Sequence, residues 1–499
     1  MSSPLTPDVA LANLQATALT GRCHNAFFRQ KQLKFLHDTL RNNSDAITNA
    51  IKQDTHVLEE EAVTEVALSL TVVKEHYDSI DVKKELENEY RVANGKDASD
   101  RREPRGVVYI EPQRNHTPFF SAIAPLSAAL AAGNCVALKI ENNLRAVPSI
   151  LRKLLSESLE SDTFAVISSN PSPASLSPCL QVLQDTQINL PNYSQLVSPR
   201  SRTIAVVDRN ADLALAAEQL VMARFAFGGA SPYAPDLVFV NEFIKKEFLG
   251  HVLKHSIRLL TISNGIANGS STAKESKKAS RVREAIQALS DSKTWKLQII
   301  TQGDNGAIVE LPNLSALPPK TKQPVFSISP ITSLEHAISL IDEDLDIQDT
   351  LLAAYHFGTP STGKYLSQFV NADASFVNHI PFRLLVGPSA PSFHPVDIEK
   401  RYTVKHFTRV SPAYVLPPVS QAAMSKIVAS KDSRKAAAEL LAKATEEIQE
   451  KKRAEWIAIG YFEQGIFIGL GLYGIPLVGC IGASLFFGLR AGLRRWAFN

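Results

Sequence analysis

Residues 103–143 read EPRGVVYIEPQRNHTPFFSAIAPLSAALAAGNCVALKIENN. The β-branched run Val107-Val108-Tyr109-Ile110 predicts a strand, and the polar stretch Glu111 to Thr117 predicts a turn. The Ala-rich stretch after Pro118 predicts a helix that Gly133-Asn134 ends, and Val136-Ala137-Leu138 predicts a second short strand. Strand, helix and strand in that order form a βαβ unit, whose two strands run parallel. The fold class is therefore α/β.

On the amino-terminal side, Phe27, Leu33, Phe35, Leu36, Leu40, Ile47 and Ile51 recur near a period of 3.6. Helices are expected from residue 8 to about 90, with a second helical run from Val57 to Ile80, and the charged segment 97–105 is expected as a turn and linker. On the other side, residues 168–202 are Ser/Pro-rich and hold neither GxGxxG nor GxxxxGK[ST], so no phosphate-cradling loop is legible there. Residues 204–213, IAVVDRNADL, restore a strand. Residues 227–240, FGGASPYAPDLVFV, combine a turn fixed by Gly228, Gly229, Pro232 and Pro235 with a buried strand. Helical spacing is expected at 241–262, a low-complexity loop at 264–280, a strand from Val325 followed by a helix from Ser333, and a further strand at Ser375.

Fifty-three basic against fifty acidic side chains leave a net charge of +3, which gives no global reason to expect nucleic acid as a partner. The four cysteines, Cys23, Cys135, Cys179 and Cys480, are far apart and lack CxxC spacing, so neither a disulfide framework nor a metal site is expected. The amino terminus has no basic segment followed by an apolar run, and a cleaved signal peptide is not expected. Residues 465–489, by contrast, carry no charge, and about 20 apolar residues suffice to cross a bilayer. Trp456, Tyr461 and Trp496 stand at its flanks, as do Lys451, Lys452, Arg453, Arg490, Arg494 and Arg495. A single-pass carboxyl-terminal membrane helix is expected, preceded by a basic amphipathic helix over 420–455.

Glu103-Pro104-Arg105-Gly106-Val107-Val108, the turn at Asn115, the Ala-rich helix ending Ala131-Ala132-Gly133-Asn134 and the strand Ala137-Leu138-Lys139 together resemble the aldehyde dehydrogenases. Ile204 to Leu213 and Ala234-Pro235-Asp236 are similar to the same family, in its fatty-aldehyde dehydrogenase-like branch with a carboxyl-terminal anchor. The resemblance implies a Rossmann-type cofactor domain and an α/β catalytic domain. It places Asn115 on the residue that donates to the developing oxyanion and Lys139 on the one that contacts the adenosine ribose. It also places Pro232 on the nucleophilic cysteine, Ser198 on the general-base glutamate, and Lys320 and Lys322 on nicotinamide contacts. Proline has no acid to ionise, and a serine cannot act as a base at neutral pH.

Two readings stay open. In the first, the chain is a membrane-anchored relative without NAD(P)-dependent aldehyde oxidation and without a cofactor, acting as scaffold, ligand-binding protein or partner subunit. In the second, it oxidises aldehydes with NAD or NADP through Ser231 or another group. A hydrolase has less support, because GxSxG is absent. The expected organisation is N-terminal helices and a cofactor-type domain over 1–202, a catalytic-type domain over 203–378 and a return segment with an oligomerisation arm over 379–419. The amphipathic helix occupies 420–455 and the anchor 456–499. The resemblance further implies a homodimer or a hetero-oligomer with an active homologue, on an internal membrane such as the endoplasmic reticulum and facing the cytoplasm.

Overall fold

The computed structural model of the protein describes residues 6–188, 190–261, 271–290, 295–343, 350–418, 420–429, 433–449 and 466–496. The contacts divide it into two units, residues 1–416 and 417–499. The first begins with helices α1 (Pro7–Leu19), α2 (Ala26–Asn42), α3 (Ser44–Thr55), α4 (Glu59–Asp78) and α5 (Val82–Tyr90). Asn25 starts α2 by accepting from Phe28 N at 3.1 Å. The buried face of α2 carries Leu33, Leu36 and Leu40, whereas Phe27 and Phe35 are exposed, at 68% and 48%. Periodicity places both in the apolar stripe, but Leu33, Leu36 and Leu40 set the buried face and neither aromatic falls on it.

Strand β1 (Arg102–Pro104) leads into β2 (Val107–Glu111), α6 (Pro118–Ala131), β3 (Cys135–Lys139), α7 (Ala146–Ser158), β4 (Phe164–Ile167), α8 (Pro173–Leu176), β5 (Leu180–Leu183) and β6 (Gln195–Val197). The expected βαβ unit is present, with Val107 beside Cys135 and Ile110 beside Leu138 in parallel register. The five-stranded sheet has the order β4-β3-β2-β5-β6, so the winding reverses between β2 and β5. Alternate residues divide its two faces. Val108, Ile110, Val136 and Leu138 pack under α6, all of whose residues are buried, while Val107, Tyr109, Cys135 and Ala137 pack under Leu11 and Leu14 of α1.

The second sheet comes from later residues: β7 (Thr203–Val207), α9 (Leu213–Phe225), β8 (Leu237–Asn241), α10 (Lys245–Thr261), α11 (Ser271–Ser290), β9 (Gln298–Gly303), β10 (Gly306–Glu310), β11 (Val325–Ile331), α12 (Leu334–Asp342), β12 (Ala353–Phe357), α13 (Pro360–Phe369) and β13 (Ser375–Val377). Its seven strands lie in the order β13-β12-β7-β8-β11-β10-β9, with β9 the antiparallel edge. The low-complexity loop expected over 264–280 is corrected in part. From Ser271 the chain is helical, because Ala, Lys, Glu and Arg favour a helix and Val282, Ile286 and Leu289 bury one face against β10 and β11. Residues 264–270 lie outside the described residues. The expected linker 97–105 is also corrected: Arg102–Pro104 forms a strand antiparallel to β14 (Thr408–Val410).

In the second unit, the single amphipathic helix expected over 420–455 is two helices packed on each other, α14 (Gln421–Val428) and α15 (Ser433–Ala444). The first helix ends at Val428, with Ala429 as its cap, and the second starts at Ser433. Residues 450–465 lie outside the described residues. Beyond them Ile466–Leu493 is helical and apolar, with none of its residues buried, at a mean hydropathy of 2.0. Its roughly 40 Å length exceeds the ~30 Å of a hydrocarbon core. The π turn Leu470–Gly474 lies directly before α16 (Ile475–Trp496) and absorbs Pro476, which lacks the N–H for a regular helical bond.

Burial pushes His76, His116, His356 and His406 down to about 4. Unfolded histidine titrates near ~6.5, so between these values the unfolded chain binds more protons and stability falls with falling pH. The unfolding temperature of the full chain is expected to drop steadily from pH 6.5 to 4. A flat or rising profile over that window contradicts the neutral, buried state of these rings.

Candidate functional site

The loop between α9 and β8 is set by three successive left-handed residues, Phe227 (φ 50°), Gly228 (φ 67°) and Gly229 (φ 71°). A Cβ at Gly229 would lie 2.6 Å from Pro324 N, so only glycine fits. Phe227 is held by its N–H donating to Glu61 Oε1 at 2.7 Å and by an edge contact with His116 at 5.9 Å. Ser231 is 2% exposed, and its Oγ accepts from Tyr233 N at 3.3 Å. No acid or base side chain bonds to it among the described residues.

Pro232 presents its carbonyl to two donors, Thr203 Oγ1 at 3.0 Å and Lys320 Nζ at 2.9 Å. The Lys320 ammonium also donates to Ser201 O at 2.8 Å and lies 3.3 Å from Asp236 Oδ2, so its three donors are engaged. Asp236 Oδ2 further accepts from Thr203 N at 2.9 Å, and Arg224 Nη1 stands 3.6 Å from Oδ1. Arg224 is fully buried and donates to Val325 O, Thr321 O and Oγ1, and Gln323 O. Burial pushes the Lys320 and Arg224 basicities down while Asp236 pulls them up. Lys322 is exposed.

Ser198 follows β6 and is buried, its Oγ donating to Ser389 O at 3.0 Å. Next to Pro232, Tyr233 OH accepts from Ala390 N at 3.1 Å. Asn115 is exposed in the turn after β2, and its neighbours are tied down: His116 Nε2 lies 2.8 Å from Leu385 O, and Thr117 Oγ1 accepts from Gly387 N at 2.9 Å. Ser198 bonds the segment 385–390 directly, and Pro232 and Asn115 adjoin it through Tyr233, His116 and Thr117, whereas Lys139 lies apart from it and Lys322 is exposed. Sequence reasoning gave that segment no contacts and did not single out Arg224, which pairs with Asp236, or Tyr233, which accepts from Ala390 N. The backbone polar atoms that 385–390 offers carry no side-chain signature.

Lys139 ends β3 with Nζ 3.5 Å from Glu111 Oε1, both side chains largely covered. It lines a small cleft of about 50 Å³ with Glu111, Arg114, Glu141, Arg145 and Val147. Helix N-termini at this edge are where a dinucleotide pyrophosphate would be held. Both are taken by the chain itself. Glu65 Oε1 accepts from Phe119 N and Phe120 N of α6, at 2.8 and 3.1 Å, and Asp54 accepts from Ala146 N and Val147 N of α7, at 2.9 and 2.8 Å. Burial pushes the Glu65 carboxyl up to about 8 against the two backbone donors, and Oε1 accepts in either protonation state. Between β5 and β6 no helix occurs among the described residues. At the reversal between β2 and β5, Gln184 accepts from Gln113 N at 3.0 Å and donates to Ser121 O at 2.9 Å. Arg114 bridges Glu141 and Asp185 across the edge. Lys139 and Glu111 suit a ribose, whereas the first turns of α6 and α7 have their N–H groups engaged by Glu65 and Asp54.

Two α/β sheets, one of five strands wound from the middle and one of seven, joined through a return segment, define an aldehyde dehydrogenase fold. Residues 13–175 match the aldehyde dehydrogenase family. The chain is 32% identical over 164 residues to aldehyde dehydrogenase family 3 member B1 of Bos taurus, covering 32% of this chain and 35% of that protein. The match therefore spans about a third of that relative's length. Staphylococcus aureus AldH, solved in a substrate-bound state, superposes with a TM-score of 0.63 at 18% identity, over 84% of this chain and 98% of the other. A glyceraldehyde-3-phosphate dehydrogenase from Methanocaldococcus jannaschii, complexed with NADP, gives 0.62 at 13% identity, over 81% and 92%. Residues 13–175 are thus similar to the aldehyde dehydrogenases in sequence, and most of the chain shares their fold.

Removing the shared anion of this site leaves two buried cations uncompensated, a loss that costs about 3–5 kcal/mol in comparable pairs. Asp236→Asn is expected to lose that order of stability in denaturant unfolding, and adding Lys320→Met to it is expected to restore part of the loss. Strictly additive effects in this double-mutant cycle would show that the carboxylate and the ammonium are not coupled.

Proposed function

We propose that this protein is a membrane-tethered aldehyde dehydrogenase-like chain that does not carry out NAD(P)-dependent aldehyde oxidation and serves as a scaffold, ligand-binding protein or partner subunit. The observation that carries the reading is Pro232. It stands where the family resemblance puts the nucleophile, and its carbonyl is held by Lys320 and Thr203. Ser198, at the position of the general base, spends its hydroxyl on Ser389 O. The occupied helix N-termini of α6 and α7 support the absence of a bound dinucleotide. The rival, an oxidoreductase acting through Ser231, asks a buried hydroxyl without a bonded base to act as nucleophile.

The same reading takes 1–202 and 203–378 as the former cofactor and catalytic domains and 379–419 as the return segment and oligomerisation arm. A homodimer, or a pairing with an active homologue, fits such a role. The apolar helix Ile466–Leu493 would anchor the chain in an internal membrane, with the body on the cytoplasmic side.

The test is a titration of the full chain in detergent micelles with NAD and with NADP, following the unfolding temperature. A ligand at a hundred times its Kd stabilises the native state by about 2.7 kcal/mol. No shift is expected with either nucleotide, and no reduced nicotinamide should form with aliphatic aldehydes. Saturable stabilisation together with aldehyde-dependent absorbance overturns the proposal. Separately, deletion of 466–496 is expected to move the protein from the alkali-resistant membrane pellet to the soluble fraction, and retention in the pellet would place the anchor elsewhere.

A further inference from the structure

Cys23 and Cys135 stand 112 residues apart in the chain, yet their sulfurs lie 3.6 Å from each other. Cys23 is the middle residue of the one-turn helix Arg22–His24 that joins α1 to α2, and Cys135 is the first residue of β3. Both are buried, at 4% and 0% exposure, in the apolar layer that Leu11 and Leu14 of α1 make with β2 and β3. A third thiol in that layer, Cys179, is turned away and donates to Ser175 O at 3.4 Å. Two of the three thiols in one cluster are thus placed sulfur to sulfur. The cysteine spacing in the sequence gave no sign of it.

We propose that Cys23 and Cys135 form a redox pair that closes to a disulfide when the chain meets a peroxide, fixing the α1–α2 junction to the first residue of β3. The two partners are not equivalent. Cys135 N–H donates to Gly106 O at 2.9 Å inside the sheet, which holds that residue in place. Cys23 sits in a surface turn whose neighbours Arg22, His24 and Asn25 are exposed, so a local opening of one turn brings its sulfur to solvent. The Cys23 thiol is therefore the one a peroxide meets first, and Cys135 is the resolving partner.

The Cys23 thiolate attacks one peroxide oxygen, forming the S–O bond as the O–O bond breaks. The departing hydroxide and the thiol proton make one water. The Cys135 sulfur then attacks the Cys23 sulfur, forming the S–S bond as the S–O bond breaks, and the hydroxyl leaves with the Cys135 proton as a second water. Two thiols and one peroxide give one disulfide and two waters. The link closes a long loop and restricts the unfolded chain, so the oxidised protein is the more stable form.

The full chain, reduced and exchanged into detergent micelles, is treated with hydrogen peroxide, blocked with N-ethylmaleimide in denaturant and mapped by mass spectrometry. A peptide joining Cys23 to Cys135 is expected, with Cys179 recovered as the alkylated thiol. The unfolding temperature is expected to rise by roughly 3–6 °C and to return on reduction with dithiothreitol. Cys135→Ala should abolish both signals. The mapping is done on the unaltered sequence, so it does not depend on that variant folding. Recovery of both cysteines as alkylated thiols, or of Cys23 as a sulfinic acid, as a pair with Cys179 or as a link between two chains, overturns the proposal.

Discussion

The carboxylate of Asp236 is the constraint on which the middle of this protein depends. It lies between Arg224 and Lys320, accepts the N–H of Thr203 and stands at the foot of β8. A buried ion is costly unless its charge and hydrogen bonds are met, and here one anion serves two cations. Arg224 reaches β11 and the 321–323 segment, while Lys320 reaches Ser201 and Pro232. The loop that begins with three left-handed residues is therefore fixed at both ends. An ammonium with three engaged donors works as a brace; it has no free lone pair with which to react.

Much of the fold was legible because its signals are local. The βαβ unit at 103–143 follows from β-branched runs around an Ala-rich helix, and every residue of that helix is buried. The amino-terminal helices follow from the spacing of Leu33, Leu36 and Leu40, while Phe35 shows the limit of the method, since an apolar residue one step off the stripe scores like its neighbours. The helix at Ser271–Ser290 was hidden by its polar composition, and its three anchors matter only because β10 and β11 lie beneath them. The strand Arg102–Pro104 was hidden by its charge, since what makes it a strand is a partner some 300 residues away.

The site divides in the same way. The family resemblance points to Pro232, Ser198, Asn115 and Lys139, but the turns that carry the first three are held by the return segment. Leu385 O, Gly387 N, Ser389 O and Ala390 N bind the three turns with main-chain atoms, and main-chain atoms are the same in every sequence. The helix N-termini are a similar case. Glu65 and Asp54 look like ordinary surface carboxylates in the chain, and only the folded helices show that they occupy the donors a phosphate would use.

The short ladder between β1 and β14 bears on how the body is made. Arg102 pairs with Val410, and its guanidinium reaches Thr408 and Lys405. Asn134, in the turn before β3, donates to Phe407 O at 3.1 Å, so the first sheet too is closed by residues near the end of the body. During synthesis the early strands wait for the late ones, and contacts this remote slow folding because the loop must close before they form. Until residue 410 has emerged, the nascent body has an open seam along β1, an edge that a chaperone would have to cover.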